Sequence, residues 1–364
     1  MIMYDKSRLH GALVHAHCDT RESDTVQAFD SLGFRGQVSR LRRLAEAALA
    51  RYGISATRVV LLAHMENTTF RVETDNGNRY LLRIHRTTGS PFQPPRSAAE
   101  VRSELIWLRA LAGEAGLAVP DPVPTLDGAL VTIVAIDGVP EARICALFRW
   151  GEGRFFDAGL RPTHLERAGG FIARLHDHAS GFSPPAEFTR WRRYDVSGEV
   201  GAYVVRAVGA HCGTGAVATV ETLLNLVRQS EHELGEGPEA FGLIHGDLHQ
   251  ENYLFDRGQV RAIDFDDCGW GHYLYDLAVA LSELRWRPDY EARRAGLLRG
   301  YRAGRSLPVA DERHLEVFHG LRLLQLVLWF LDHRNHPGFA SWEEEVRILM
   351  ADLETVTGEL GASR

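Results

Sequence analysis

The alternation of apolar and polar positions divides this chain into a strand-rich first part and a helix-rich remainder. Residues 37–52 (QVSRLRRLAEAALARY) repeat apolar residues at helical spacing, and Gly53 ends the run. Strand-like runs follow at 57–63, 67–74 and 79–85. The last two are joined by Asp75-Asn76-Gly77-Asn78, whose Asn-Gly pair suits the positive φ angles of a tight hairpin. Helical periodicity returns at 97–112, where Val101, Leu105, Leu108 and Leu111 fall on one stripe. Two more strands are expected at 129–136 and 143–149. The pattern predicts a small antiparallel sheet with one helix, an α+β arrangement. From about residue 163 helices dominate, and Leu323–Leu331 is apolar on nearly every face, as a buried helix requires. Residues 1–33 are polar and lack sustained periodicity, which predicts a loosely held extension.

Three short apolar runs interrupt the helices at 241–244, 253–255 and 260–263, and they bracket the chain's chemistry. Residues 243–267 read LIHGDLHQENYLFDRGQVRAIDFDD. Asp247 is followed five residues later by Asn252, and Asp264 comes after the strand-like run 259–263. That order and spacing match a phosphoryl-transfer site, in which a loop H-R-D-x-x-x-x-N precedes an Asp on the next hairpin. The residue types fit the task. One carboxylate, Asp247, can aim an attacking hydroxyl and accept its proton. A second, Asp264, offers hard oxygen to Mg²⁺, and Asn252 adds a neutral oxygen ligand that does not repel a triphosphate.

Composition narrows the reading. The 364 residues are 45% hydrophobic, enough for one large core or two lobes, and the net charge of −7 gives no reason to expect nucleic acid or an acidic membrane surface as partner. Among 41 basic residues Lys6 is the only lysine, which excludes an internal Walker A motif and a Schiff-base mechanism. Cys18, Cys145, Cys212 and Cys268 are scattered, so neither a zinc site nor a disulfide framework is indicated. No apolar leader and no apolar run of about 18 residues is present, so a cytoplasmic protein without membrane partners is expected.

The motifs H-G-D-L-H-x-x-N and I-D-F-D-D, followed by G-W-G-H-Y-L-Y-D-L-A-V-A-L at 269–281, resemble the aminoglycoside phosphotransferase and choline kinase-like superfamily. Homoserine, hydroxylysine and stress-response kinases are similar members. Gly246, where protein kinases carry Arg, favours that group. The resemblance implies a bilobal protein-kinase-like fold, with an extension at 1–36, a nucleotide-binding N-lobe at 37–150 and a mostly helical C-lobe at 151–364. It implies Mg²⁺-dependent transfer of the γ-phosphate of ATP or GTP to a hydroxyl of a small metabolite, with an amino alcohol, amino sugar or hydroxy amino acid expected. It also assigns His245 and Asp276 to bracing the catalytic loop. A stress-response-type protein Ser/Thr kinase and a silent pseudokinase are the competing readings.

The nucleotide side departs from the protein-kinase template. No glycine stands in Glu66-Asn67-Thr68-Thr69-Phe70, so Asn67, Thr68 and Thr69 are the candidates to face phosphate, against an ordinary polar turn. In the strand 80–85 the residue in register with the template's phosphate-binding lysine is Arg83, a fixed cation with a planar fork suited to phosphate oxygens. Glu104 on the next helix is its expected partner, with Glu100 one turn earlier as the fallback. Residues 146–150 resemble the adenine-binding hinge, which brings in Phe148 and Trp150. Asp266 and Asp267 are candidates for a cationic amine on the acceptor, with extra metal ligation or a solvated turn as the alternatives. His176 and His178 do not share a helix face, so a metal pair is not expected. Trp191-Arg192-Arg193 is read as a surface loop, with contact to an anionic substrate as the alternative.

Overall fold

The structure is a computed structural model that describes residues 28–156, 159–193, 196–335 and 341–362. Most of the expected N-terminal extension lies outside the described residues.

The chain forms two compact units. The first comprises residues up to Thr88, Pro95–Leu105 and Asp121–Trp150. Its opening helix α1 spans Phe34–Arg51, and Gly53 follows with φ 65°. Strands β1 (Ala56–His64), β2 (Thr68–Thr74), β3 (Arg79–Ile84), β4 (Asp121–Val123), β5 (Thr132–Val134) and β6 (Arg143–Arg149) make one sheet. The order is β1-β2-β3-β6-β4, with β5 also on β6, and all described pairings are antiparallel. The β2–β3 turn places Gly77 at φ 79°, as the Asn-Gly signal requires. Leu44, Leu49, Phe70, Val72, Leu82 and Leu147 bury the α1 face against the sheet. Helix α2 spans Ala98–Gly113, and all four residues of its expected stripe are fully buried.

The second unit comprises Gly89–Pro94, Ile106–Pro120 and Gly151–Arg364. Its helices are α3 (Pro162–Gly181), α4 (Gly198–Cys212), α5 (Thr214–Leu234), α6 (Tyr273–Ser282), α7 (Tyr290–Gly304), α8 (Arg313–Asp332) and α9 (Trp342–Ala362). Helices α3 and α7 approach so closely that a Cβ on Gly169 or Gly300 would collide with the backbone oxygen of Leu297 or Glu166. Two hairpin-like pairs interrupt the helices: β7 (Phe241–Ile244) with β10 (Gly269–His272), and β8 (Tyr253–Asp256) with β9 (Gln259–Ala262). Helix α8 is buried along most of its length. Among the described residues no helix is long and apolar enough to cross a membrane.

One expectation fails in this unit. Arg193, read as part of a surface loop, is buried, and its guanidinium lies 3.1 Å from an Asp267 oxygen. The segment 190–193 runs against the stretch that follows Asp264: Arg193 N donates to Trp270 O at 2.7 Å and Arg190 Nε to Cys268 O at 2.6 Å.

Candidate active site

In the first unit the sheet register brings Thr69 opposite Arg83, and Arg83 opposite Ala146. Arg83 Nη2 donates to both oxygens of Glu104 at 2.7 Å. The pair is 4% and 1% exposed, and the guanidinium carbon lies 5.0 Å from the centroid of the Phe148 ring. Glu100, the fallback partner, instead caps its own helix by accepting from Ser97 N at 2.9 Å.

The remaining nucleotide candidates sit differently. The Thr68 hydroxyl is 2.8 Å from His64 Nδ1, whose Nε2 faces Gln37 Oε1 at 3.2 Å, and Asn67 Oδ1 accepts from Arg86 N at 3.3 Å. Both side chains therefore have structural bonds. Trp150 lies with Arg79 and Arg71, 5.8 and 6.0 Å from its ring centroid, rather than with Arg83.

In the second unit the loop that carries Asp247 begins where β7 ends. Asp276 on α6 is fully buried and accepts two backbone bonds, from His245 N at 2.9 Å and Gly246 N at 2.8 Å. His176 Nε2 lies 3.1 Å from the same carboxylate, and the Tyr301 hydroxyl 3.0 Å from His176 Nδ1. Burial alone would raise the Asp276 carboxyl, but the hydrogen bond from His176, the neighbouring His245 ring and the Gly246 amide outweigh it and hold it below the ordinary value. Burial pushes His176 and His245 down, so both rings are neutral at neutral pH.

Neutral His245 ties the loop to the residue before Asp264. Its Nε2 donates to Ile263 O at 2.9 Å, and Nδ1 accepts from Asp247 N at 3.3 Å. Asp264 follows at once, an exposed residue in the left-handed region at φ 60° and ψ 67°. Such a backbone costs about 1–3 kcal/mol and persists where the surroundings fix it. They do so here: Ile263 N donates to Asn252 O at 2.8 Å, and buried Phe265 packs against His245 and Trp107 at ring-centroid distances of 4.4 and 5.7 Å. Gly246, at φ 81°, is also fixed by space, since a Cβ there would lie 2.7 Å from Asp267 O.

Asp247 itself is half-buried. Asn252 Nδ2 donates to its backbone oxygen at 2.7 Å and to Oδ2 at 3.0 Å. His249 Nε2 lies 3.5 Å from Oδ2 and Nδ1 3.2 Å from Glu283 Oε1. Burial would depress this imidazole, but the carboxylates of Glu283 and Asp247 outweigh it and raise it to about 9. Arg322 Nη1 of α8 is 2.6 Å from Asp247 Oδ1. Asp247, Asn252, His245 and Asp276 thus form one bonded assembly, and Asp264 follows Ile263, which is bonded to both His245 and Asn252. Asp267 is paired with Arg193, and Asp266 O accepts from Arg190 Nη2 at 2.7 Å.

The sequence reading did not single out Arg322, Glu283 or Arg190, and it read Arg193 as part of a surface loop. One signal was present: Arg322 is a lone cation within an apolar helical run, and buried arginines are paired.

This assembly, in a chain whose other unit is an antiparallel sheet with a buried Arg–Glu pair, defines a phosphotransferase of the protein-kinase-like class. Residues 58–314 match the phosphotransferase enzyme family, and the chain belongs to it. It is 27% identical over 327 residues to the amicoumacin kinase of Bacillus subtilis (strain 168), covering 86% of this chain and 92% of that protein. It is likewise 27% identical over 286 residues to the homoserine kinase of Acidiphilium cryptum (strain JF-5), covering 75% and 80%. The solved microcompartment-associated aminopropanol kinase superposes with a TM-score of 0.75 at 29% identity, over 88% of this chain and 98% of that one. A solved amicoumacin kinase complex with AMP-PNP and Ca²⁺ shares the fold at a TM-score of 0.73 and 21% identity, over 89% and 96%. The protein is a small-molecule kinase that phosphorylates a hydroxyl group.

Proposed function

We propose that this enzyme transfers the γ-phosphate of ATP to the hydroxyl of a small amino alcohol or hydroxy amino acid. The observation that carries the reading is the Asp247–Asn252 bond beside Asp264, because it leaves the donor set a kinase needs. With Nδ2 of Asn252 given to Asp247, its Oδ1 remains an oxygen ligand, and Asp264 supplies the carboxylate. Among the described residues no cluster of three or more His, Cys, Asp or Glu side chains could cage a metal. One carboxylate and one amide oxygen suit Mg²⁺, which keeps water and binds substrate phosphates rather than filling an all-protein cage. When bound, Mg²⁺ would neutralise charge developing on the transferred phosphoryl group.

The chain's own residues then divide the work. Asp247 orients the acceptor hydroxyl and takes its proton as the oxygen bonds to the γ-phosphorus and ADP leaves. Arg83, held by Glu104, addresses the α- and β-phosphates, with Thr69 and the backbone amides of the β1–β2 turn beside it. Residues 146–150, including Phe148 and Trp150, form the adenine edge. For the acceptor's ammonium group we propose one of the two carboxylates that follow Asp264, Asp266 or Asp267. The relatives named for aminopropanol and homoserine support an amine-bearing alcohol over a protein substrate. We propose the cytoplasm as the site of the reaction, where a nucleoside triphosphate donor is at hand.

The test incubates the protein with Mg²⁺, ATP or GTP, and a panel holding 1-amino-2-propanol, homoserine, aminoglycosides and a mixed peptide pool. Mass spectrometry reads products heavier by one phosphate. A phosphorylated amino alcohol or hydroxy amino acid supports the reading; products confined to the peptides overturn it.

A further inference from the structure

The catalytic loop is held from two sides, and the family's motifs account for only one. Asp276 fixes its backbone. A second element reaches its reactive side chain. Among the buried residues of α8, Arg322 is the only arginine, and it is 2% exposed. An arginine is rarely buried without a partner. Its Nη1 lies 2.6 Å from Asp247 Oδ1 and donates to Gln325 Oε1 at 2.9 Å. Gln325 Oε1 in turn accepts from the Tyr275 hydroxyl at 2.7 Å, and both residues are buried. A relay therefore runs from Tyr275 through Gln325 and Arg322 to Asp247, within one unit.

We infer that Arg322 is a positioning residue for phosphoryl transfer, setting the plane of the Asp247 carboxylate so that it meets the acceptor hydroxyl. The geometry separates the two oxygens. Oδ1 is addressed by Arg322 from α8, whereas Oδ2 is addressed by Asn252 Nδ2 of the loop at 3.0 Å. Fixing both oxygens removes the torsion that the backbone bonds to Asp276 leave untouched. Such alignment matters because a misplacement of about 1 Å in a reacting group can cost about 10²-fold in rate. The inference rests on the small-molecule kinase reading.

The test compares Arg322→Met, which keeps stem length but removes charge and donors, with Arg322→Lys. Turnover is read as ADP release with Mg·ATP and 1-amino-2-propanol or homoserine, and with water alone as acceptor. Arg322→Met should lower kcat about 10–100-fold and leave KM for ATP within about twofold. Arg322→Lys should recover part of kcat, since charge returns without the planar fork. In an Asp247→Asn background Arg322→Met should change kcat by less than about twofold, because the two residues act as one unit. A crystal structure of Arg322→Met should show the Asp247 carboxylate rotated from its wild-type plane. A full multiplicative loss in the Asp247→Asn background, or an unmoved carboxylate with unchanged kcat, overturns the inference. Should Arg322→Met fail to fold, Gln325→Leu removes the acceptor that orients the guanidinium; unchanged kcat in both Gln325→Leu and Arg322→Lys overturns it equally. If wild type phosphorylates neither acceptor, the substrate reading falls, while the hydrolysis rates and the crystal comparison still decide the role of Arg322.

Discussion

Replacing Asp276 by Asn tests how the Asp247 loop is held. The carboxylate is fully buried and accepts from two backbone amides, at 2.9 and 2.8 Å, with His176 at 3.1 Å. Asn keeps the shape but has one acceptor oxygen, so its NH₂ must face an amide N–H or the His176 donor. The loss is one charge-assisted bond, about 1.5–3 kcal/mol, plus a stranded buried donor, about 1–3 kcal/mol. A local cost of about 3–5 kcal/mol is within the stability of a typical protein, about 5–15 kcal/mol, so the variant should fold. The cost falls on His245 and Gly246. Their amide hydrogen exchange should accelerate about 10²–10³-fold, since each 1.4 kcal/mol is about tenfold. Hydrogen-exchange mass spectrometry of a peptide spanning residues 241–252 measures this directly, and kcat should fall with it. Wild-type protection of that peptide in folded Asp276→Asn protein would refute the bracing argument.

Three further outcomes follow from named contacts. Glu104→Gln leaves Arg83 buried with a neutral partner; removing one member of a buried pair costs up to about 3–5 kcal/mol, so the melting temperature should drop and KM for ATP rise, a calorimetric and kinetic check. Gly246→Ala forces a side chain to φ 81° and into Asp267 O, and should lower stability by about 1–2 kcal/mol and kcat more than KM. Acid should destabilise the protein through buried histidines. Burial, with Arg285 and Arg322 nearby, pushes His319 down to about 3; burial, with Arg192 and His314 also opposing its charge, pushes His272 down to about 4. Each then contributes stability at neutral pH that is lost as pH falls below about 6.5, because the unfolded chain binds protons the folded one refuses. Between pH 7 and 5 each loss is about 2 kcal/mol. His249, raised to about 9, acts oppositely: its contribution is complete below about 6.5 and lost as pH climbs through about 9. Urea unfolding at pH 5, 7 and 9 measures the balance, and His319→Gln should flatten the acid limb.

What the sequence revealed was local. Asn76-Gly77 announced the β2–β3 hairpin because its backbone needs are met within four residues. Asp247, Asn252 and Asp264 were readable because two short hairpins fix their spacing. The partners of Arg83 and of the loop backbone were readable through strand register and a family resemblance, and Glu104 does meet Arg83. Strand β4 was missed because three residues including Pro122 carry no period. Arg322 was missed for a different reason. It lies 75 positions beyond Asp247 in sequence and meets it only through the packing of α8, with which no local pattern correlates. Arg193 looked like a surface residue because its neighbours are polar, yet the tertiary fold buries it against Asp267.

The central claim is that Asp247 directs an acceptor hydroxyl at the γ-phosphate. The most direct measurement is phosphorus NMR of wild type and Asp247→Asn, each with Mg·ATP and 1-amino-2-propanol or homoserine. The account predicts a phosphomonoester signal growing as ATP becomes ADP in wild type. In folded Asp247→Asn with ATP affinity retained, that rate should fall about 10²–10⁴-fold. A phosphomonoester formed by Asp247→Asn at the wild-type rate would contradict it.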